Sequence, residues 1–267
     1  MKDKKITVSH FRRQKEAGKK IVALTAYDAP TAALAEECGV ELILIGDSLG
    51  MAVLGYSNTI PVTLEQILHH CAAARRGARR AFIVGDMPFM TYQISPEDAL
   101  RNAGRLLQEA GADGVKLEGG ERMAPTVERL VAAGVPVMGH IGLLPQNVLT
   151  SGGYRIAGRS EKEAEHLLLD AKAIQDAGAF CIVLEGMPAE LSARITKSLA
   201  IPTIGIGGGP SCDGQIQVVN DLLGLFTDFI PKHTKRYANL SEDIRKALGN
   251  YAEEVRSGAF PSSEQSF

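Results

Sequence analysis

A single α/β domain, a TIM (β/α)8 barrel, is the fold the sequence predicts. Three observations point to it. Short β-rich runs alternate with longer helical patterns from end to end, the mark of a mainly parallel sheet. Seven such runs are clear and an eighth is weaker. The length, 267 residues, is close to the roughly 250 typical of eight strand–helix units. A doubly wound open sheet competes, but "GIGGGP" has Pro210 where the dinucleotide fingerprint GxGxxG requires its third glycine, and it follows a late strand. No linker-like break interrupts the chain before the tail "SGAFPSSEQSF". The domain is therefore read as residues 1–267, with a short N-terminal helix before the first strand and a C-terminal helix and tail.

The elements follow in order. "MKDKKITVSHFRRQKEAGKK" is basic but lacks the apolar core of a signal peptide, and Asp3 and Glu16 count against a transit peptide; it reads as the first helix. The strands are "IVALTA" from Ile21, "ELILIG" from Glu41, "AFIVGD" from Ala81, "DGVKLEG" from Asp113, "VPVMGH" from Val135, "FCIVLEG" from Phe180 and "IPTIGIG" from Ile201, with the weaker eighth around "LLGLF" from Leu222. Helix starts are marked by "TLEQ" from Thr63 and "SEKE" from Ser160, which fit capping boxes, and by "SPED" from Ser95, with Pro96 at the first helical position. Gly111, Gly134 and Gly178 stand where helices should stop before the next strand.

Composition narrows the function. Lys plus Arg number 29 against 31 Asp plus Glu, a formal net charge of -2, so nucleic acid is not an expected partner. No stretch approaches the roughly 18 apolar residues of a membrane span. Cys38, Cys71, Cys181 and Cys212 form no CxxC pair and no zinc spacing, and read as reduced thiols of a cytoplasmic protein.

Placed in register, the strands share a feature. Apolar positions lead to polar groups at the carboxyl ends: Asp47 and Ser48, Asp86, Lys116 and Glu118, His140, and Glu185. In a barrel these ends open on one face, the face that carries active sites. One acid after a strand can simply cap a helix or turn a loop. Five strands ending this way point instead to a shared polar pocket, beside which Gly46, Gly119 and Gly120 would let backbone approach a ligand.

Oxygen-rich donors suit a hard divalent ion such as Mg²⁺, which takes one or two protein carboxylates and keeps water or substrate oxygens elsewhere. Asp47 and Asp86 are the expected ligands, and the sequence leaves open whether Glu118 binds directly or through water. A metal with a spare carboxylate can draw a proton from carbon next to a carbonyl. Glu185 is that spare base, in an apolar flank, "FCIVLEGMP", that would raise its pKa by desolvation. Lys116 and Ser48 could hold a substrate carboxylate and His140 could donate to an oxygen; equally, Lys116 could merely pair with Glu118, and His140 could be a core histidine. His69 and His70 fall mid-helix and read as packing or surface, "RRGARR" as a solvated face or subunit contact, and the glycines of "GIGGGP" equally as a rim turn or an anion-binding loop.

At these residues the sequence resembles the ketopantoate hydroxymethyltransferase family over nearly its whole length. The likeness rests on "TAYDAPTA" from Thr25, "IGDSLGM" from Ile45, "IPVT" from Ile60, "DMPFMTY" from Asp86, "VKLEGG" from Val115, "GHIGLLPQ" from Gly139, "VLEGMP" from Val183 and "GIGGGPSCDGQ" from Gly205. The family's usual "GIGAG" is "GIGGG" here, with Gly208 in place of alanine.

The resemblance implies a TIM barrel that transfers a hydroxymethyl group from 5,10-methylenetetrahydrofolate to 3-methyl-2-oxobutanoate, making 2-dehydropantoate in pantothenate biosynthesis. It implies one Mg²⁺ per subunit on Asp47, Asp86 and Glu118, substrate binding by Asp47, Ser48, Asp86, Lys116 and His140, and Glu185 as the proton acceptor that forms a metal-stabilised enolate. It also implies a homo-oligomer, specifically a decamer. The rivals are a metal-dependent aldolase that needs no folate, a Schiff-base aldolase with Lys116 as nucleophile, and a barrel that binds a metabolite without turnover.

Overall fold

The structure, a computed structural model, describes residues 4–225 and 231–267. Eight parallel strands close into a barrel in sequence order: β1 (Ile21–Thr25), β2 (Leu42–Ile45), β3 (Phe82–Asp86), β4 (Gly114–Lys116), β5 (Val137–Gly142), β6 (Cys181–Glu185), β7 (Thr203–Ile206) and β8 (Gly214–Gln217). Closure is made by β8 against β1, with Ile21 beside Gly214 and Ala23 beside Ile216. Six of the first seven strands lie within the runs expected, and β5 continues two residues past its run, to Gly142. β2, β3 and β4 are buried at every position, because a barrel strand is covered inside by its neighbours and outside by helices.

The eighth strand differs from the expectation. Leu222 ends a one-turn helix, Val219–Leu222, and Phe226 lies outside the described residues. The strand that closes the barrel is "GQIQ", in which Ile216 is buried and Gln215 exposed. Residues 207–213 return the chain from the end of β7 to the start of β8 with no helix between, so this connection adds no helix to the outer layer that makes the other strands apolar. Val22, on the adjoining β1, is 51% exposed for the same reason.

Helix boundaries follow local chemistry. Thr63 and Ser160 form complete capping boxes with Gln66 and Glu163, and Ser95 accepts from the N–H of Asp98 with Pro96 in the first turn. Gly111, Gly134 and Gly178 sit at φ +71°, +87° and +95°, the left-handed conformation that ends each helix.

The interior is set by a period of two. Leu42 and Leu44, Phe82 and Val84, Met138, Cys181 and Val183, Ile204 and Ile216 form one core cluster inside the barrel. At its amino end lies the helix Val8–Glu16, whose Phe11 meets Phe82 edge-on at 5.3 Å and leans on Phe180 at 5.7 Å. Polar ties hold that helix in place: His10 and Gln14 each reach Glu41 at 2.7 Å, and Lys15 reaches Asp213 at 2.7 Å.

The chain divides into two compact units, Met1–Val218, which holds the barrel, and Val219–Phe267. In the second, the helix Leu240–Ser257 ends on Gly258 at φ +71°, and Tyr251 meets Phe260 edge-on at 5.6 Å. No described helix is long and apolar enough to cross a membrane.

Candidate active site

The alternation that fills the barrel also aims its polar residues. Continuing the inward parity past Phe82 and Val84 reaches Asp86; past Met138 it reaches His140, and past Cys181 and Val183 it reaches Glu185. On β4 the register places Lys116 beside both Asp86 and Met138, so Lys116 and, two residues on, Glu118 face inward as well. Asp47 and Ser48 lie in the turn after β2. The carboxyl ends of β2 to β6 thus bring all seven expected residues to one face.

Their contacts form one network. Asp86 Oδ2 accepts the backbone N–H of Asp47 at 3.0 Å, and Asp86 Oδ1 lies 2.9 Å from Lys116 Nζ without hydrogen-bond alignment. Glu118 Oε1 has no hydrogen-bond partner, with Lys116 Nζ and His140 Nδ1 each at 3.7 Å. Lys116 Nζ lies 3.2 Å from His140 Nδ1. A protonated amine can only donate, so Nδ1 accepts and the imidazole proton is assigned to Nε2. That nitrogen stands 3.1 Å from Glu185 Oε2, out of line for a formed hydrogen bond. Ser48 Oγ is 2.9 Å from the phenol of Tyr27 and makes no capping bond to the short helix Leu49–Ala52 that it precedes.

Burial separates the carboxylates into two kinds. The side chains of Asp86 and Glu118 are 1% and 2% exposed, that of Glu185 19%. Burial pushes Asp86 up to about 7 against the pull of Lys116, with Asp47 adding to the rise. Burial likewise raises Glu118 well above the carboxylate range, Lys116 opposing. Burial would discharge Lys116, but Asp86, Glu118 and Asp47 outweigh it and keep the amine protonated. The pKa of His140 is lowered by burial and then by Lys116, leaving a neutral ring.

Among the described residues no three His, Cys, Asp or Glu side chains close on one point as a ready metal cage. Lys116 stands between Asp86 and Glu118 instead. The donor chemistry nevertheless fits a hard divalent ion of the kind that takes one or two protein carboxylates. Three buried acids face a single ammonium, and Asp86 Oδ1 and Glu118 Oε1 are buried without a hydrogen bond.

Four groups of the site escape a reading based on charged strand ends. Gln146, in the turn Pro145–Asn147 beyond β5, donates from Nε2 to Asp47 Oδ2 and to the Met87 carbonyl, each at 3.0 Å. Tyr92 donates to Gln146 Oε1 at 2.8 Å and accepts the N–H of Glu118 at 3.2 Å. Tyr27 holds Ser48. Tyr154, half exposed, has its phenol 3.6 Å from Met51 Sδ, and its pKa is raised by burial and then by Asp47, Glu185 and Glu118. Tyr27, Tyr92 and Gln146 fall inside the motifs "TAYDAPTA", "DMPFMTY" and "GHIGLLPQ", the one signal that could have flagged them.

Other sequence features lie elsewhere. His70 bonds the Tyr27 carbonyl through Nδ1 at 2.7 Å and His69 is exposed, in keeping with packing and surface roles. Of the four arginines in "RRGARR", Arg75 is not merely solvated: it bridges Asp113 at 2.7 Å and the Ala81 carbonyl at 3.1 Å. The space beside Gly120 is taken by Asp170, which accepts the N–H of Glu121 at 2.8 Å. Gly207 and Gly209, at φ +65° and +81°, turn the chain at the rim after β7.

A family model described as ketopantoate hydroxymethyltransferase matches residues 5–263. A 3-methyl-2-oxobutanoate hydroxymethyltransferase from Dehalococcoides mccartyi (strain CBDB1) is 56% identical over 261 residues, covering 98% of this chain and 94% of its own. One from Syntrophus aciditrophicus (strain SB) is 55% identical, with coverage of 100% and 98%. Among solved structures, 2,3-dimethylmalate lyase, a PEP mutase/isocitrate lyase superfamily member, superposes with a TM-score of 0.60 at 15% identity over 98% of this chain and 92% of that one. Phosphonopyruvate hydrolase, solved in complex with oxalate and Mg++, does so with a TM-score of 0.60 at 16% identity over 97% and 93%. At such identities the likeness is one of fold.

Proposed function

The chain belongs to the ketopantoate hydroxymethyltransferase family, and from that premise we propose that it transfers a hydroxymethyl group from 5,10-methylenetetrahydrofolate to 3-methyl-2-oxobutanoate, forming 2-dehydropantoate for pantothenate biosynthesis. Asp47 and Asp86 would hold one Mg²⁺ per subunit, with Glu118 bound directly or through water. The bound ion supplies Lewis-acid stabilisation of the charge that develops on the 2-oxo oxygen. Lys116 and Ser48 bind the substrate carboxylate, one by charge and the other by its hydroxyl.

Glu185 removes the C3 proton. The observation that carries this assignment is its separation from the other acids. Asp47, Asp86 and Glu118 are buried and bonded to one another's supports, whereas Glu185 stands apart at the rim, with His140 Nε2 3.1 Å from its Oε2. His140, its Nδ1 occupied by Lys116, keeps its proton on Nε2, on the side of the ring that lies beside Glu185. The substrate carbon C3 then forms the new C–C bond to the methylene carbon; that carbon's two bonds to folate nitrogens break, one water supplies the hydroxyl oxygen and the protons returned to nitrogen, and tetrahydrofolate leaves, while the pocket holds the two carbons in line. Lys116 suits this role better than that of a Schiff-base nucleophile, because it is a protonated amine engaged by Asp86 and His140. The same membership supports a cytoplasmic homo-oligomer, specifically a decamer.

The test is turnover with both substrates. Mass spectrometry is expected to find 2-dehydropantoate only when folate donor and Mg²⁺ are present, with loss on EDTA and recovery on adding Mg²⁺. Product formed without the donor, or undiminished by EDTA, would remove this reading in favour of a folate-independent aldolase or a metal-free route.

A further inference from the structure

Gln146 is neutral, lies beyond the strand end, and yet touches more of the acid cluster than any charged residue except Lys116. Its side chain is buried, 3% exposed, and every hydrogen-bonding valence of its amide is taken. Nε2 donates to Asp47 Oδ2 and to the Met87 carbonyl; Oε1 accepts from the Tyr92 phenol at 2.8 Å and from Gln93 Nε2 at 3.3 Å. Its backbone N–H donates to Glu118 Oε2 at 3.1 Å. One residue therefore occupies one oxygen on each of two acids that come from different strands.

The orientation of the amide is determined by these partners. Reversed, it would set a carbonyl oxygen against the Asp47 carboxylate and the Met87 carbonyl, two acceptors, and an NH2 group against Gln93 Nε2, a donor. Tyr92 is itself supported by the backbone N–H of Glu118 at 3.2 Å, so the circuit from Glu118 through Tyr92 and Gln146 returns to Glu118. The loop that delivers Tyr92 passes through Met90 at φ +65°, a conformation unusual for a residue with a side chain and tolerated where the surroundings over-determine it.

We propose that Gln146 is the positioning residue of the acid cluster, and that Tyr92 keeps its amide the right way round. With Asp47 Oδ2 and Glu118 Oε2 held, each acid presents its other oxygen to the pocket. Asp47 Oδ1 has no protein hydrogen-bond partner among the described residues, and Glu118 Oε1 is buried without one. Without the amide, Asp47 is free to rotate and Lys116 is the nearest cation to draw the acids inward. The inference rests on the metal reading above, and concerns the affinity of the cluster for a divalent ion.

The experiment measures Mn²⁺ binding to the full-length protein by electron paramagnetic resonance, alongside Mg²⁺-dependent C3 exchange of 3-methyl-2-oxobutanoate and thermal unfolding. The variants are Gln146→Met, which keeps length and removes both amide groups, and Tyr92→Phe, which removes only the phenol. Outer partners of metal ligands typically carry about 10–100-fold in affinity. Gln146→Met is expected to weaken Mn²⁺ binding by about that factor, and Tyr92→Phe by less, in the same direction, in protein that still unfolds cooperatively. Raising Mg²⁺ is expected to restore much of the exchange rate in both, a rescue that a merely structural defect would not show.

Folded variants that bind Mn²⁺ like the wild type would overturn the positioning role. So would a loss of binding in Gln146→Met that tracks its thermal stability while Tyr92→Phe, folded as the wild type, binds normally. If wild-type protein binds no Mn²⁺ and shows no metal-dependent exchange, the metal reading itself fails, and the two failures are thereby told apart.

Discussion

At the amino ends of the strands, Phe82, an inward position of β3, and Phe180, just before β6, surround Phe11 in mutual ring contact; at the carboxyl ends, the inward parity that Phe82, Met138 and Cys181 begin reaches Asp86, His140 and Glu185, beside Lys116 and Glu118. The first end is closed by burying apolar surface, which needs no partner. The second gathers three buried acids around one ammonium and leaves two oxygens without hydrogen bonds. One alternating pattern thus builds a plug below and an unbalanced charge cluster above. Stability and chemistry are divided along the barrel axis, within single strands.

The largest effect should come from the upper end. Glu185→Gln is expected to lower 2-dehydropantoate formation by about 10²–10⁴-fold, the usual contribution of a general base, while the thermal midpoint changes little. Turnover within a few-fold of the wild type would deprive Glu185 of its role.

Next comes the plug. Phe11→Ala is expected to cost about 3–5 kcal/mol in denaturant unfolding, as truncation of a buried aromatic does, yet leave Mn²⁺ affinity unchanged in the folded fraction. A shift in metal affinity would show that the two ends are not independent.

A smaller effect follows from the charge at the upper end. Asp86 is lifted by burial from the usual 3.8 to about 7, so in metal-free protein the folded state binds its proton more tightly than the unfolded chain does. Its contribution to stability is present below about pH 4 and is lost as pH rises through about 7. Thermal unfolding without metal should therefore show stability declining across that window relative to Asp86→Asn. Added Mg²⁺ should recover the loss above pH 7, and identical pH profiles for the two proteins would contradict the burial argument. The least effect is expected at an exposed helix start outside the charge cluster: Thr63→Ala breaks a capping box and should cost about 1 kcal/mol by chemical denaturation, with no change in turnover.

Much of this was legible in the sequence because it is periodic or charged. Seven strands announced themselves as apolar runs, since core covers one face of each and helices cover most of the other, Val22 on β1 being left exposed. The charged site residues stood out because each ended such a run. β8 did not, because no helix lies between β7 and β8: its outer positions could be glutamines, and "GQIQ" carries one buried apolar side chain, Ile216. Gln146 and Tyr92 were hidden for another reason. A neutral amide and a phenol make no charge pattern, and their roles come from three-dimensional closure of a circuit through residues 28 and 54 positions away. Met90, with its positive φ, serves that closure and has no counterpart in local propensity.

The most direct test is hydrogen–deuterium exchange at C3 of 3-methyl-2-oxobutanoate, followed by NMR in D₂O without any folate. Wild-type protein with Mg²⁺ is expected to exchange the proton, and the exchange should stop with EDTA and in Glu185→Gln. Folded wild-type protein that binds the 2-oxo acid and Mg²⁺ but leaves the C3 proton in place would contradict the account of the upper end as a proton-abstracting site.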